Sequence, residues 1–204
     1  MSSDIKIVEK PDWVSWDDIH NTLWKAHTYN REKGMAMRYA SLSGDEIRER
    51  VEGKGKMICA IKGDKLIGTA AIVTKKAKLW FDKNPATYAY LCFACVSPDF
   101  ASQGVYRQLY MYRERACVMM GLKHLMFDTH EKNRRVLEIN SKNHFRAVDY
   151  KFYNDHFNIV MVKWLDGCPY PSWYIKLRFL LSKFKQKTRY KMVPGKGRVK
   201  RFGL

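Results

Sequence analysis

The clearest pattern along the chain is an apolar run at residues 91–96 that ends at the breaker Ser97-Pro98-Asp99. A short apolar run bounded by turn residues is typical of a buried strand. Small residues follow at 101–104, and a helical pattern begins after them. The stretch therefore predicts a strand, a loop and the start of a helix in direct succession.

The rest of the chain carries similar signals. Ser15 and Ser43 each stand three residues before an acid, which is a signature of a helix start. Two apolar runs across Gly63-Asp64 predict a hairpin. Strands that alternate with helices after a hairpin predict an α/β fold with a mixed central sheet flanked by helices. The predicted order is helix 15–34, helix 43–51, hairpin 57–73, loop 75–85, strand 87–96, helix 103–120 closed by Gly121, strand 125–128, helix 133–145, and one or two strands within 150–164.

The predicted start of the helix near Gly104 suggests a chemical role. Backbone N–H groups at a helix N-terminus have no carbonyl partner and lie at the positive end of the helix dipole, so they can hold a phosphate. Gly104 would let the backbone approach such an anion closely. The same pattern also occurs in many folds with no ligand, so both interpretations stay open at this point.

Two stretches together carry a resemblance. Residues 96–109, VSPDFASQGVYRQL, resemble the acyl-CoA motif V-x-P-x-[YF]-R-G-x-G-[IV]-G-x-x-L of the GNAT N-acetyltransferase superfamily. Residues 129–145, THEKNRRVLEINSKNHF, resemble that family's second CoA-side motif. The likeness covers roughly residues 57–157. It implies the GNAT fold, an acyltransferase activity and acetyl-CoA or another acyl-CoA as co-substrate, with no metal.

The resemblance also implies which residues meet the cofactor. The end of the central strand would bind the pantetheine arm through its backbone, the loop and first helical turn would bind the pyrophosphate, and the second motif would complete the CoA side. The chain departs from the family pattern at Ala101-Ser102, Tyr106 and His144, where the family carries Arg-Gly, Gly and Gly. The implied cofactor residues are Ala94, Cys95, Val96, Gln103, Gly104, Val105, Tyr106, Arg107, Asn133 and Asn140.

The catalytic base is less clear from the residues. Many relatives use a Glu on the strand before the phosphate loop, yet residues 87–96 contain no acid, and Tyr90 lies in that region. His130, just after the next strand, has the ordinary pKa best suited to accept a proton near neutral pH. Asn140 stands where many relatives carry a Tyr general acid. His130 and Tyr90 are the catalytic candidates, and proton loss through a water chain without one essential base is the alternative.

In the family, the first helices form a wall of the acceptor site. The residues that this resemblance makes possible substrate contacts could equally be core aromatics and solvated charges. They are Trp16, Trp24, Tyr29, Tyr39, Glu46 and Glu49.

Composition narrows the class of protein. The chain has 204 residues and 46% apolar content, enough for one domain with an appendage. Its five cysteines are an odd number and lie mostly in apolar runs, which favours reduced structural thiols. Cys92 and Cys95 are expected on opposite faces of a regular strand. The N-terminus lacks an apolar signal region, so a cytoplasmic location is expected.

The last segment differs from the rest. Residues 167–204 hold 11 Lys or Arg and no Asp or Glu, out of a formal net charge of +18. A helix beginning at Ser172 would place Trp173, Leu177, Leu180, Leu181 and Phe184 on one face. This face could dock on the protein's own core, or the basic segment could bind nucleic acid or, less favoured, an anionic membrane surface. Residues 1–166 are predicted to form the acyltransferase domain and 167–204 a basic amphipathic extension.

The sequence therefore predicts an acetyl-CoA-dependent N-acetyltransferase of a primary amine, with an acceptor on or associated with nucleic acid. One alternative is a small amine or amino sugar as acceptor, with the basic segment only localising the enzyme. A second alternative, from another class, is a catalytically silent module that binds nucleic acid. The oligomeric state is not predicted.

Overall fold

The computed structural model describes residues 5–32, 34–35, 41–153, 156–192 and 199–201. The chain divides into two compact units, the first made of Met1–Lys76 and Thr87–Leu125 and the second of Ala77–Ala86 and Met126–Leu204. The elements in order are β1 (Ile5–Glu9), α1 (Trp16–Ala26), α2 (Thr28–Glu32), α3 (Gly44–Val51), β2 (Gly55–Lys62), β3 (Lys65–Ala77), β4 (Ala86–Val96), α4 (Val105–Met119), β5 (His124–His130), α5 (Arg134–Lys142), β6 (Arg146–Tyr153), β7 (His156–Trp164), α6 (Ser172–Arg189), β8 (Tyr190–Met192) and β9 (Val199–Arg201).

The fold is mixed α/β, with a seven-stranded sheet and flanking helices, as the sequence predicted. The first unit contributes four strands in the order β1-β2-β3-β4, and the second contributes three in the order β5-β7-β6. The pairs β1–β2, β2–β3 and β6–β7 are antiparallel. The predicted hairpin is the β2–β3 pair, which turns at Gly63 with φ +62°.

The helices of the first unit begin where the sequence predicted. Ser15 and Ser43 each accept a hydrogen bond from the backbone three residues on, and the acids Asp18 and Glu46 bond back to the cap. Such capping boxes satisfy N–H groups that a helix start leaves unpaired. Below α1 and α3 lies the core of this unit, an apolar cluster that includes Leu23, Ile47, Met57, Cys59 and Phe93.

Several boundaries differ from the prediction. Strand β1 was not predicted, although its residues pair with β2 along its whole length. Residues 75–77 continue β3, although they were predicted as loop. The first helix ends at Ala26 and a short α2 follows. Lys33, inside the predicted helix end, lies outside the described residues.

Candidate active site

Strand β4 is irregular where the sequence predicted a regular strand. Phe93 lies mid-strand with φ +51°, a left-handed conformation that non-glycine residues rarely adopt. Its carbonyl accepts a hydrogen bond from the hydroxyl of Thr69 on β3 at 2.9 Å, and Thr69 is fully buried. This bond pairs a buried backbone carbonyl with a buried hydroxyl group. Thr69 therefore fixes the bend in β4, a role that its place in an apolar run of β3 did not reveal.

Gly68 lets the two strands approach beside this bend. A Cβ at Gly68 would lie 2.8 Å from the carbonyl oxygen of Cys95, closer than real Cβ atoms come to backbone. Ala94 and Val96, on either side of Cys95, are half-buried, whereas Cys95 is buried. Residues 94–96, which are predicted to bind the pantetheine arm, form the end of β4. Gly68 and Thr69 of β3 lie against this part of the strand.

The Cys92 and Cys95 thiols are structural. Both lie in the same apolar cluster as Phe93, so the expectation that they face opposite sides is wrong. The left-handed residue between them breaks the regular alternation of the strand. Burial raises the pKa of the Cys95 thiol to about 11, opposed in part by its hydrogen bond with Thr69. The Cys95 thiol is therefore protonated near neutral pH.

The loop after β4 presents open backbone at the start of α4. Gly104 caps this helix with φ +77°, and a Cβ placed there would meet nothing within 4 Å. The first turn of α4 contains no acidic residue, and Gly104 gives it no side-chain cap. Val105 is buried and anchors the turn, while Gln103 and Arg107 are exposed. Tyr106 lies inside the helix, where glycine is not required for the backbone conformation.

Ser102 keeps a glycine-like backbone. It stands where the family pattern has Gly, and its φ of +64° is left-handed. His144, which also stands in place of a family Gly, has φ +67° just after α5. Left-handed backbone costs a non-glycine residue roughly 1 kcal/mol. At both positions the chain therefore has the backbone conformation that glycine adopts most readily, without using glycine.

A cavity of about 610 Å³ opens beside this loop in the first unit. Its wall includes Ser97 and Phe100, which lie between the predicted pantetheine and pyrophosphate residues. Three carboxylates and two ammonium groups line it. A hydrogen bond from Ser15 holds the pKa of the Asp18 carboxyl below its usual range, so this group stays ionised. The charged lining residues are Asp18, Asp64, Asp99, Lys25 and Lys65.

The second unit carries His130, whose ring is buried and stacked on His156 with centroids 5.1 Å apart. Its Nδ1 accepts the backbone N–H of Lys132 at 3.0 Å. A neutral ring that uses Nδ1 as acceptor carries its proton on Nε2. In this arrangement neither nitrogen offers a lone pair to a substrate, although the catalytic assignment of His130 stays a prediction.

The two asparagines of the second motif are buried and have structural partners. Asn133 caps α5 and donates its amide to the Thr129 hydroxyl at 3.3 Å. Asn140 donates its amide to the carbonyl of Val136 at 2.8 Å. The acids after β5 are also held, since Tyr150 donates to Glu131 at 2.5 Å and Asn158 donates to Asp128 at 2.6 Å.

Tyr90, the other catalytic candidate, lies half-buried in the first unit. It packs against the apolar cluster, and the Lys75 ammonium lies 4.6 Å from its ring centroid. Of the possible substrate contacts, Trp24 is 45% exposed, with the Arg31 guanidinium 3.7 Å from its ring centroid. The side chain of Tyr29 and all of Tyr39 lie outside the described residues.

The first unit therefore combines an irregular strand, a loop with exposed backbone and a helix start. Residues 16–142, more than half of the chain, match the sequence profile of the Acetyltransferase (GNAT) family. The protein belongs to this family and is an acetyltransferase that uses acetyl-CoA. No curated protein matches the chain.

Solved structures show the same fold at low identity. The ribosomal-protein-S18-alanine N-acetyltransferase from Escherichia coli is 14% identical with a TM-score of 0.61, over 81% of this chain and 96% of its own. The PaiA N-acetyltransferase from Thermoplasma acidophilum, solved with coenzyme A, is 15% identical with a TM-score of 0.60, over 79% and 99%. The aminoglycoside 6'-acetyltransferase type Ii is 15% identical with a TM-score of 0.59, over 81% and 99%.

In the described ranges, no group of three His, Cys, Asp or Glu side chains is placed to hold a metal ion. Among the helices that the structure describes, none combines the length and hydrophobicity needed to cross a bilayer.

Proposed function

We propose that this protein transfers the acetyl group of acetyl-CoA to a primary amine, with the CoA pyrophosphate held at the start of α4. The observation that carries the proposal is the open, left-handed Gly104 at a helix start that has no acid in its first turn. An anion there meets backbone N–H groups and the positive end of the helix dipole. A Cβ at this position would occupy the space that a phosphate needs.

The same proposal assigns the remaining cofactor residues. Backbone groups of Ala94, Cys95 and Val96 would align the pantetheine arm, and those of 103–107 would bind the pyrophosphate. Asn133 and Asn140 would support the CoA side through α5, since their own amides bond to protein atoms. Bound acetyl-CoA supplies the thioester carbon that the amine attacks. The buried, protonated Cys95 fits direct transfer without an acyl-enzyme.

The amine must lose a proton before or during the attack. His130 and Tyr90 are the proposed groups, and a water chain is the alternative. For His130 to accept a proton at Nε2, its Nδ1 would first have to release the Lys132 N–H. For Tyr90 no comparable change of hydrogen bonding is required. The Lys75 ammonium lies 4.6 Å from its ring centroid.

For the acceptor, the cavity beside the β4 loop supports a small amine. Its volume of about 610 Å³ lies within the range of small-molecule sites. The carboxylates of Asp64 and Asp99 line this cavity and can attract an ammonium. An acceptor associated with nucleic acid rests on the charge of residues 167–204 alone, so the small amine or amino sugar is the better supported class.

The cofactor site is tested by titration calorimetry of acetyl-CoA against an isosteric pair, Gly104→Asp and Gly104→Asn. Both residues tolerate left-handed backbone, so folding is expected to survive in each. The added carboxylate should repel the phosphates and weaken binding about tenfold more than the neutral amide does. Gly121→Asp, at another open left-handed glycine in the same unit, is the control and should leave affinity unchanged.

Wild-type affinity in both Gly104 variants would show that the phosphates lie elsewhere. Absence of acetyl-CoA binding by the wild-type protein would overturn the function and favour the silent binding module. The acceptor class is tested separately: Asp64→Asn should raise KM for a small diamine and leave the Kd of acetyl-CoA unchanged. An unchanged KM would remove this cavity as the acceptor site.

A further inference from the structure

Helix α6 has a docked face and an exposed face. On the docked face, Ile175 is 4% exposed and Phe179 packs edge-on against Tyr150, with ring centroids 6.2 Å apart. The Ser182 hydroxyl donates to the Asp149 carboxylate at 2.5 Å. These contacts hold α6 on β6 within the second unit, through residues other than the predicted apolar face.

The predicted apolar face is the exposed one. Trp173 is 67% exposed and Phe184 is 71% exposed, and the three leucines between them are 46% to 54% exposed. Their spacing of 4, 7, 8 and 11 residues from Trp173 places them in one stripe, because an α-helix advances about 100° per residue. By the same count, this stripe lies on the opposite side of the helix from Ile175 and Ser182. The stripe consists of Trp173, Leu177, Leu180, Leu181 and Phe184.

Basic side chains border the stripe on both sides. Lys176 and Lys187 lie along one edge and Lys185 along the other, and all three are exposed. Helix α6 contains six Lys or Arg and no acid. Lys187 lies 3.9 Å from Glu131, so one edge is partly neutralised by the unit on which the helix docks. The outer side of α6 is therefore apolar along its centre and cationic along its borders.

The apolar centre and cationic borders of α6 favour some binding partners over others. A second copy of the helix would bring six more positive charges against these six, which is unfavourable without acids to pair them. Nucleic acid would match the charge, and Trp173 and Phe184 at the ends of the stripe could stack on bases, but the three exposed leucines between them have no aromatic ring and would stay in water. An anionic bilayer matches both features, since its headgroups attract the lysines and its acyl boundary accepts Trp, Leu and Phe.

We propose that α6 seats the protein on an anionic lipid surface, with the stripe in the headgroup and acyl boundary and Lys176, Lys185 and Lys187 among the headgroups. The helix lies flat on the surface and remains docked on β6 through its other face. This interaction is independent of acetyl transfer and needs no acyl-CoA. It would confine the enzyme to membranes that carry anionic lipids.

Vesicle sedimentation tests the proposal with the full chain. The wild-type protein should bind vesicles of equal parts phosphatidylglycerol and phosphatidylcholine at least about tenfold more tightly than phosphatidylcholine alone. Leu180→Ser with Phe184→Ser should weaken anionic-vesicle binding by about tenfold or more. The matched control is Val118→Ser with Met119→Ser, which removes two exposed apolar side chains from α4 and should bind like wild type.

The depth to which the stripe enters the bilayer is tested by quenching of tryptophan fluorescence. Lipids with brominated acyl chains should quench part of the fluorescence of the wild-type protein, and Trp173→Leu should lose that quenching while it still sediments with the vesicles. Unchanged vesicle binding by the Leu180/Phe184 variant would reduce the surface to a general polyanion site and overturn the proposal. A wild-type dimer that this variant dissociates, or equal binding to neutral and anionic vesicles, would also overturn it.

Discussion

The two segments that carry the family resemblance are built in different ways. In residues 96–109 the polar groups at the start of α4 belong to the backbone. Ser102 and Gly104 have left-handed backbone, and the first turn of α4 contains no acidic residue. In residues 129–145 the polar side chains already have protein partners. His130 accepts the Lys132 N–H, and Asn140 donates to the Val136 carbonyl.

The difference shows why the substitutions in the two segments have different consequences. A site made of backbone tolerates a change of side chain provided that the backbone conformation is kept, and Ser102 has a left-handed φ of +64°. A site made of side chains depends on the identity of each residue, and Asn140 cannot act as the tyrosine acid of many relatives. We therefore expect the first segment to retain cofactor binding and the second to serve mainly as support.

The largest expected effect is on stability at high pH and concerns Cys95. Its folded pKa of about 11 lies above the ordinary 9.0, so the neutral thiol stabilises the fold fully below pH 9. This contribution is lost as pH rises from 9 through 11, by about 2 kcal/mol at pH 11. Denaturant unfolding at pH 8 and pH 11 should show a smaller loss for Cys95→Ala than for wild type.

At neutral pH the Cys95→Ala variant should keep its acetyl-transfer rate, because residues 94–96 are proposed to act through their backbone. Loss of the rate with stability retained would mean that the thiol takes part in the chemistry, and the contrast between the segments would then fail.

The next effect concerns the bend in β4. Thr69→Val leaves the buried carbonyl of Phe93 without its 2.9 Å hydrogen bond, which should lower the free energy of unfolding by about 1.5 kcal/mol. The same change should raise KM for acetyl-CoA, since the bend positions residues 94–96. Thr74→Val, on the same strand but with an exposed hydrogen bond to the Lys54 carbonyl, is the control. Equal effects in the two variants would remove the special role of Thr69.

A smaller effect tests whether His130 has a structural role or acts as a general base. The carbonyl oxygen of an asparagine can take the place of Nδ1 as acceptor for the Lys132 N–H, but an amide is not a base. If His130 only holds the Lys132 N–H, His130→Asn should stay near the wild-type kcat and His130→Ala should fall about fivefold, roughly 1 kcal/mol. A general base would instead be worth about a hundredfold or more in both variants, with an altered pH–rate profile.

The smallest expected effect is on stability. It concerns the non-glycine residues with left-handed backbone in the two segments, Ser102 and His144. Ser102→Gly and His144→Gly should each relieve backbone strain, which is offset in part by the greater freedom of glycine in the unfolded chain. We expect each variant to gain about 0.5 kcal/mol in thermal unfolding. Acetyl-CoA affinity should be unchanged, and a fall with Ser102→Gly alone would show that the hydroxyl contacts the cofactor.

Much of the fold follows from local sequence signals. The capping boxes at Ser15 and Ser43, the Gly63 turn and the Gly121 helix end all lie where their residue types predict. Strand β1 escaped prediction because its five residues alternate weakly and are stabilised by pairing with β2. The site was predicted least well where its shape depends on contacts between strands, as with Thr69 and Phe93.

The sequence by itself determined the family, the cofactor class and the positions of the loop and helix start, because these depend on short-range patterns that recur with one backbone geometry. Only the tertiary structure decided that Phe93 bends β4 under the Thr69 hydroxyl, and that α6 docks through Ile175 and Ser182. Periodicity shows that a helix has an apolar stripe, but a neighbouring strand decides which face is covered. Here β6 packs against the side of α6 that carries Ile175, Phe179 and Ser182, and the stripe remains in solvent.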